Sequence, residues 1–250
     1  MLHVILDTPF RDTVGATLLG WSSILTEQNI TASENNADAP YLADHKLYTS
    51  WSGSDGATLV VDAGEIVDLE YFAVAGLSTD GLDLEVSDDG VAYSTVLSGL
   101  TAQEVLFESF APVAGRYFRV TCSGATTLAV LALGVMSWFP PQRAGFAPPD
   151  LALQSETLVN RAQAGTPLGQ RILSQAAEFT LTADLARKAF FDLEWKPFYQ
   201  HAIRKPFFLR WNPDEPPAFC WVDSDINPVS YRDPIYMRGS VKCRAIAEPA

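Results

Sequence analysis

The chain has 250 residues, of which 48% are hydrophobic and 19% are charged, and this composition excludes an intrinsically disordered protein. Residues 1–140 contain 18 acidic and 4 basic side chains (net −14), whereas residues 141–250 contain 12 and 13 (net +1), so neither half offers the basic stripe of a nucleic-acid-binding protein. The step in charge indicates two units in different surroundings. We expect no export signal of the chain's own and no membrane insertion, because the longest apolar run, Leu128 to Val135, is far shorter than the roughly 20 residues that a span needs.

The first half of the chain is predicted to be all β. Residues 1–29 are left open: "MLHVILDTPF" is compatible with a strand that pairs with the C-terminal domain, which would make the sandwich an insertion. Period-two alternation and short apolar runs between turn residues then predict strands at 57–64, 66–77, 82–90 (with Asp89-Gly90 as its turn), 116–124 and 126–136. Strands at about ten-residue spacing, with Gly, Asp and Ser in the turns, predict an antiparallel β-sandwich over residues 30–137.

Four motifs within this region occur in a familiar order. Asp44 precedes Thr49-x-Trp51, a strand ends in "VVDAG", a hairpin reads "LEVSDDGVAYSTV", and "RYFRVTCSG" follows late. In this order, the region from about residue 30 to residue 136 resembles the discoidin-like family (F5/8 type C), also called galactose-binding-like domains. The resemblance implies a jelly-roll sandwich that binds ligands through loops at one end. We expect Trp51 to be a core residue, and Arg116 and Arg119 to pair with neighbouring carboxylates.

The candidate binding residues lie in the long polar loop 32–48. Aromatic faces stack on pyranose rings and polar groups select hydroxyl groups. The candidate sugar-binding residues are therefore Tyr41, His45, Lys46 and Tyr48. Some relatives in the family hold calcium here, which makes Asp38 and Asp44 candidate ligands, although both are equally common as turn formers. We predict no metal and no cofactor, and a sandwich that makes only protein contacts stays open as an alternative.

The pattern changes after the sandwich. The segment 138–150, "WFPPQRAGFAPPD", contains two Pro-Pro pairs and is predicted to be a semi-rigid connector. Residues 151–250 are predicted to form an α+β domain with one main helix, "FTLTADLARKAFFDLEW" (179–195), in which Thr182 is the N-cap and which Pro197 ends or kinks. Strands are predicted to follow at 206–211, 218–223 and 236–248.

Two stretches of this half, "KPFFLRWNPDEPPAFCWVDSDINPV" and "YMRGSVKCRAI", follow the predicted helix. Together with the Pro-rich lead-in, residues 137–246 resemble the C-terminal part of distal-tail and minor-tail proteins, which form the tail tips of long-tailed phages. The resemblance implies a virion protein that is assembled in the host cytoplasm. It also implies a threefold or sixfold ring of identical copies, with the tail tube, hub and tape measure as neighbours. A free-standing α+β domain is the alternative.

Large aromatic side chains are concentrated in this half. So many rings in a small α+β unit can exceed what one core covers, and the excess would form patches for a partner. A closed ring of copies would cover such patches. The predicted interface residues are Phe190, Trp195, Phe198, Phe208 and Trp211.

The sequence contains no enzyme signature. It has no Gly-x-Ser-x-Gly elbow, no phosphate-binding loop and no dinucleotide fingerprint. Glu194 comes closest to a carboxylate in an unusual setting, and we expect it on the solvated face of the helix. The prediction is therefore a non-enzymatic component of a phage tail tip whose sandwich is a candidate for binding host-surface glycans. The alternatives are a stand-alone carbohydrate-binding protein and a hydrolase with an attached sugar-binding domain.

Overall fold

The computed structural model describes residues 11, 15–101, 104–143, 145–161, 163–164, 167–223, 227–231 and 236–247. Strands dominate, which confirms the mainly-β prediction. They are β1 (Thr17–Ser23), β2 (Ile30–Ala32), β3 (Trp51–Gly53), β4 (Thr58–Ala75), β5 (Gly81–Ser87), β6 (Ser94–Leu100), β7 (Val105–Ser123), β8 (Thr126–Leu128), β9 (Val130–Phe139), β10 (Leu153–Arg161), β11 (Pro167–Arg187), β12 (Phe207–Arg210), β13 (Ala218–Val222), β14 (Asn227–Tyr231) and β15 (Tyr236–Ala247). A 3-10 helix covers Ala39–Ala43, and one helical segment runs from α1 (Lys188–Phe190) through a π-helical turn (Phe191–Trp195) to α2 (Lys196–Ala202).

Two long, bent strands connect the layers of the sandwich. The first part of β4 pairs with the end of β7; after a shift of register between Asp62 and Val67, its second part pairs with the beginning of β7 and with β9. Gly64 lies at this bend with a φ of +79°, a conformation that glycine adopts without strain. One layer therefore contains β2, the start of β4, the end of β7, β5 and β6, and its apolar side chains pack on the second layer. This core includes Leu59, Phe72, Leu84, Phe118, Val120 and Leu131.

β1 joins the sandwich to the C-terminal half. Leu18 lies opposite Trp138 of β9 on one side and opposite Arg210 of β12 on the other, in antiparallel ladders. As a result, 13 of the described strands belong to one sheet that extends from β6 to β10. Residues 1–10 and 12–14 of the N-terminal segment lie outside the described residues, and the domain boundaries stay predictions.

The shared sheet curls around a second apolar core. β7 contacts both β12 and β13, and Arg210 Nη1 lies 3.9 Å from Glu108 Oε2. Inside the curl, the stacked rings of Tyr71 and Phe107 have centroids 5.5 Å apart. They lie directly on Gly20 of β1, where a Cβ atom would come within 2.5 Å of the Phe107 ring. Only a residue without a side chain therefore fits at this position of β1.

The helix begins later than the sequence predicts. Residues 179–187, predicted as its first half, belong to β11 and pair with β15. Phe179, Leu181 and Ala183 are buried in alternation, which is the period of a strand with one covered face. Thr182 is therefore a strand residue and not the N-cap of a helix, and the helical segment starts at residue 188.

Pro197 does not end the helix, because α2 continues beyond it to Ala202. The π-helical turn Phe191–Trp195 ends two residues before this proline. Proline has no N–H group and clashes with the carbonyl group of the preceding turn in a regular α-helix. A change from π to α hydrogen bonding at this point lets the chain accept a residue without a donor. Within the described residues, no helix has the length and apolar character that crossing a membrane requires.

The aromatic side chains of the helical segment are covered within the single chain. Phe190 and Trp195 are 2% exposed, and Phe198 is fully buried. Phe139 of β9 lies among them, with its ring centroid 5.1 Å, 5.5 Å and 5.2 Å from the rings of Phe190, Trp195 and Phe198. The expectation that these three rings form an exposed interface is wrong, because β1 and β9 complete the core that covers them.

The same correction applies to Phe208. It is 2% exposed inside the curl of the sheet, where its ring lies 5.0 Å from that of Phe219. Trp211 is different: it is half-buried, and its ring lies 5.5 Å from that of Phe146. Its role as an interface residue stays a prediction.

β10 and β11 form a two-stranded ribbon at one end of the sheet. β10 pairs with residues 167–177 of β11, whereas residues 177–187 pair with β15. Near the sheet, the edge of β11 is covered by Gln142, whose side chain accepts from the Thr182 N–H and donates to the Thr182 carbonyl, each at 3.2 Å. β10 is the last strand of the sheet among the described residues, and Leu158 on it is 52% exposed.

Candidate functional site

The loop between β2 and β3 is anchored to the sandwich by Trp51. The Trp51 ring is completely buried, and its Nε1 donates to the Glu34 carbonyl at 2.8 Å. The Glu34 carboxylate accepts from the Ser54 hydroxyl at 2.6 Å and from the Ser54 N–H at 3.0 Å, and these hydrogen bonds lower the pKa of Glu34. The prediction that Trp51 is a core residue is confirmed, and both ends of the loop are fixed to it.

Three of the four predicted sugar-binding side chains reach the surface of this loop. Tyr48 is 83% exposed and Tyr41 is 42% exposed. Lys46 is also exposed, and its Nζ lies 5.9 Å from the centroid of the Tyr48 ring. The loop therefore presents an aromatic face with a cation beside it, a pair that supplies both a stacking surface and a hydrogen-bond donor.

The Asp44 side chain is engaged in hydrogen bonds and an ion pair within the loop. Its carboxylate accepts from the Thr49 hydroxyl at 2.9 Å and from the Lys46 N–H at 2.8 Å, and Lys46 Nζ lies 3.4 Å from its Oδ2. Asp38 precedes the 3-10 helix Ala39–Ala43 and makes no side-chain cap there. The ammonium group next to Asp44 would repel a cation, so these residues do not fit the calcium site that the family resemblance implies.

His45 points away from the other predicted residues. Its φ is +60°, in the left-handed region, and its half-buried ring lies 6.3 Å from the ring of His201 in α2. The pKa of His45 is lowered to about 4, chiefly by burial and in addition by the neighbouring Lys205 and His201, while the Asp44 carboxylate acts in the opposite direction. The structure therefore separates His45 from the exposed sugar-binding candidates and assigns it to a contact with the helix.

A cluster of polar side chains lies beside this contact, and no motif in the sequence predicts it. Trp21 of β1 donates from Nε1 to Ser137 Oγ at 2.9 Å, and its ring lies 5.5 Å from that of His201. Ser137 also hydrogen-bonds with Glu194, whose pKa is raised by burial. Glu194 is thus half-buried rather than on a solvated face. Pairing of β1 with β9, and the docking of the helix, bring together residues that are far apart in the chain.

The outer face of the sandwich carries two arginine–carboxylate pairs, as predicted. Arg119 Nε donates to Glu85 Oε2 at 2.6 Å, and its guanidinium group lies 3.9 Å from the Tyr93 ring centroid. Arg116 binds both carboxylate oxygens of Asp62, at 2.8 Å and 2.9 Å, and this lowers the pKa of Asp62 to about 2. These cations are already paired, so the exposed loop, and not this face, is the candidate binding site.

Comparisons with known proteins find similarity to solved structures. No protein family and no curated protein matches the chain. CpGH89CBM32-6 from Clostridium perfringens aligns with a TM-score of 0.41 and 15% identity, covering 45% of this chain and 98% of its own. CpGH89CBM32-5 from the same organism, solved in complex with GalNAc-β-1,3-galactose, gives 0.40 and 16%, covering 45% and 99%. Chitosan-binding module 2 from a chitosanase/glucanase of Paenibacillus sp. IK-5, solved with chitotriose, gives 0.40 and 15%, covering 44% and 98%.

These neighbours are carbohydrate-binding modules. The TM-scores of 0.40 to 0.41 and identities of 15% to 16% are too low to carry the ligands of these structures over to this chain. What this chain binds has to follow from its own residues.

Proposed function

We propose that this protein is a non-enzymatic, glycan-binding protein and that its sandwich binds carbohydrate on the loop that carries Tyr48. The observation that carries the proposal is the 83% exposure of the Tyr48 ring on a loop whose ends are fixed by Trp51. An exposed aromatic face held in a fixed position offers the C–H face of a pyranose ring a surface on which to stack. Because the loop is held by hydrogen bonds, little conformational entropy is lost when a ligand binds.

The chemistry of this loop suits a pyranose. The C–H face of the sugar stacks on Tyr48, while the ammonium group of Lys46 and the hydroxyl group of Tyr41 are partners for sugar hydroxyl groups. The surrounding half of the chain carries a net charge of −14 over residues 1–140. Such a field repels acidic polysaccharides, so we expect neutral or amino sugars as ligands.

The substitution Tyr48→Ala is expected to weaken glycan binding about tenfold or more, because it removes the aromatic anchor of the site. The measurement is a glycan array of the full chain, followed by calorimetric titration with a retained glycan. Val91→Ala is the matched control, because Val91 is also 83% exposed but lies in the turn after β5, near the bend at Asp62. Equal affinities for the two variants would contradict the proposed site.

For the whole chain, the proposal is a structural role in a phage tail tip. The chain would form a threefold or sixfold ring in the virion, next to the tail tube, hub and tape-measure proteins. The ribbon of β10 and β11 supports this role. A two-stranded ribbon is only marginally stable in water, and the free edge of an outermost strand can pair with a strand of another chain. A stand-alone carbohydrate-binding protein has the same sandwich but no use for such a ribbon.

Self-association through the ribbon predicts that Leu158→Lys gives monomers. Sedimentation of the wild-type chain at high concentration should then give a mass well above 27.3 kDa. Leu193→Lys is the matched control, because Leu193 on the helical segment is 53% exposed and Leu158 is 52% exposed. A wild-type chain that stays monomeric and still binds a glycan would favour the stand-alone protein.

A further inference from the structure

We propose that the contact between His45 and His201 is an acid-sensitive latch that holds the loop Asp44–Thr49 on the C-terminal half of the protein. At neutral pH the loop is docked on α2, and protonation of the two histidines releases it. The inference rests in part on the proposed function, because the released loop carries Tyr48. The latch itself can be tested without any glycan.

The latch is built from two elements that are far apart in the chain. The rings of His45 and His201 lie 6.3 Å apart with an interplanar angle of 85°, an edge-to-face arrangement. His201 Nε2 is 3.2 Å from the Pro206 carbonyl, which indicates that this nitrogen carries a proton, and Trp21 packs on the same imidazole at 5.5 Å. The His201 ring is thus fixed by its surroundings, and it forms a rigid surface for His45.

The charged groups around the two rings disfavour a positive charge on either. Lys205, just after α2, acts on both histidines. Among the described residues, Asp44 on the loop side is the carboxylate that favours the charged form of His45, and it is itself paired with Lys46. Glu194 lies in the π-helical turn that precedes α2 and is hydrogen-bonded with Ser137. With Lys205 beside them and both rings half-buried, the neutral form of each histidine is favoured in the docked state.

The sign of the pH dependence follows from these surroundings. Burial lowers the pKa of His45 from 6.5 to about 4 and also lowers the pKa of His201. The released state therefore binds protons more tightly than the docked state. Docking is at full strength above about pH 6.5 and weakens as the pH falls towards about 4. The shift at His45 alone would change the docking equilibrium by up to about 300-fold.

Release of the latch would alter the proposed binding surface. His45 holds a left-handed φ of +60° and is followed directly by Lys46, whose ammonium group lies 5.9 Å from the Tyr48 ring. Histidine is one of the non-glycine residues that adopt this conformation more readily than most. Without the contact to His201, the segment can move away from α2 while its own hydrogen bonds to Asp44 remain, so Lys46 and Tyr48 change their position relative to the C-terminal half.

Hydrogen–deuterium exchange of the full chain tests the latch directly. Amides of residues 44–50 should be protected at about pH 7.5 and lose protection at about pH 5, after correction for intrinsic exchange, while β12 keeps its protection. In His45→Asn, which tolerates a left-handed φ, we expect either a smaller acid effect or weak protection at both pH values. Protection of this segment that is independent of pH in the wild-type chain, or an unchanged His45→Asn, would overturn the latch.

A pair of lysine variants tests the electrostatic part. Lys205→Gln removes the cation that disfavours protonation in the docked state, so acid should release the loop less than in the wild-type chain. Lys196→Gln makes the same change at an exposed position at the other end of α2 and should behave like wild type. Equal responses of the two variants would contradict the role of Lys205. Failure of glycan binding in a chain whose latch responds as expected would count against the proposed function alone.

Discussion

Replacing Trp195 by alanine is expected to lower the free energy of unfolding by about 3–5 kcal/mol. The ring is 2% exposed and stacks on Phe139 at 5.5 Å, with Phe191 at 5.7 Å. It also lies directly on Gly239 of β15, where a Cβ atom would come within 2.8 Å of it. Because Gly239 has no side chain that could move into the vacated space, we expect a cavity to remain. Urea unfolding monitored by circular dichroism measures the loss.

Leu193→Ala is the control on the same π-helical turn. Leu193 is 53% exposed, so its truncation should change the stability by no more than about 0.5 kcal/mol. Similar unfolding midpoints for Trp195→Ala and Leu193→Ala would contradict the docking of the helical segment on β15.

Replacing Glu70 by alanine is expected to cost about 3 kcal/mol, the second large effect. The Glu70 carboxylate is 4% exposed, binds Arg11 Nη2 at 2.5 Å and accepts from the Met136 N–H at 3.3 Å. Alanine removes both interactions at once and leaves the Arg11 guanidinium group and the buried Met136 N–H without this acceptor. Thermal and urea unfolding of the full chain provide the measurement.

Two further variants separate the charge of Glu70 from its hydrogen bonding. Glu70→Gln keeps an acceptor for Met136 and should lose less stability than Glu70→Ala. Asp192→Ala removes an exposed ion pair with Lys188 and should stay within about 0.5 kcal/mol of wild type. If Glu70→Ala were as mild as Asp192→Ala, the tie between Arg11 and β4 would not contribute to stability.

Much of the β structure could be predicted from local patterns. The alternation over residues 82–86 lies within β5, and the apolar run 126–136 matches β8 and most of β9. The misplaced start of the helix has an identifiable cause. The sequence predicts one helix over residues 179–195, but Phe179, Leu181 and Ala183 already follow the period of a strand, and Leu193 within the predicted helix is exposed.

The aromatic residues show what a sequence cannot reveal about a core. Their number predicted exposed rings, because only the elements of residues 151–250 were available to cover them. The structure adds Phe139 of β9 and Leu19 of β1 to that same core. Non-local strand pairing decides which half of the chain supplies the cover, and no local pattern encodes it.

The candidate site also has one part that the sequence predicts and one part that it does not. The loop that carries Tyr41, Lys46 and Tyr48 follows from composition and motif order. The orientation of His45 towards His201 cannot be predicted from composition or motif order, because it depends on a left-handed φ and on a helix far along the chain. The hydrogen bonds that link Trp21, Ser137 and Glu194 likewise exist only in the folded protein.

The central claim is that the sandwich binds carbohydrate on the loop that carries Tyr48. The most direct measurement is a crystal structure of the full chain with a glycan that a glycan array identifies. The account predicts a sugar ring stacked on the Tyr48 side chain, with a hydroxyl group within hydrogen-bond distance of Lys46 Nζ. A glycan bound at another surface, or an array on which no glycan retains the protein, would contradict it.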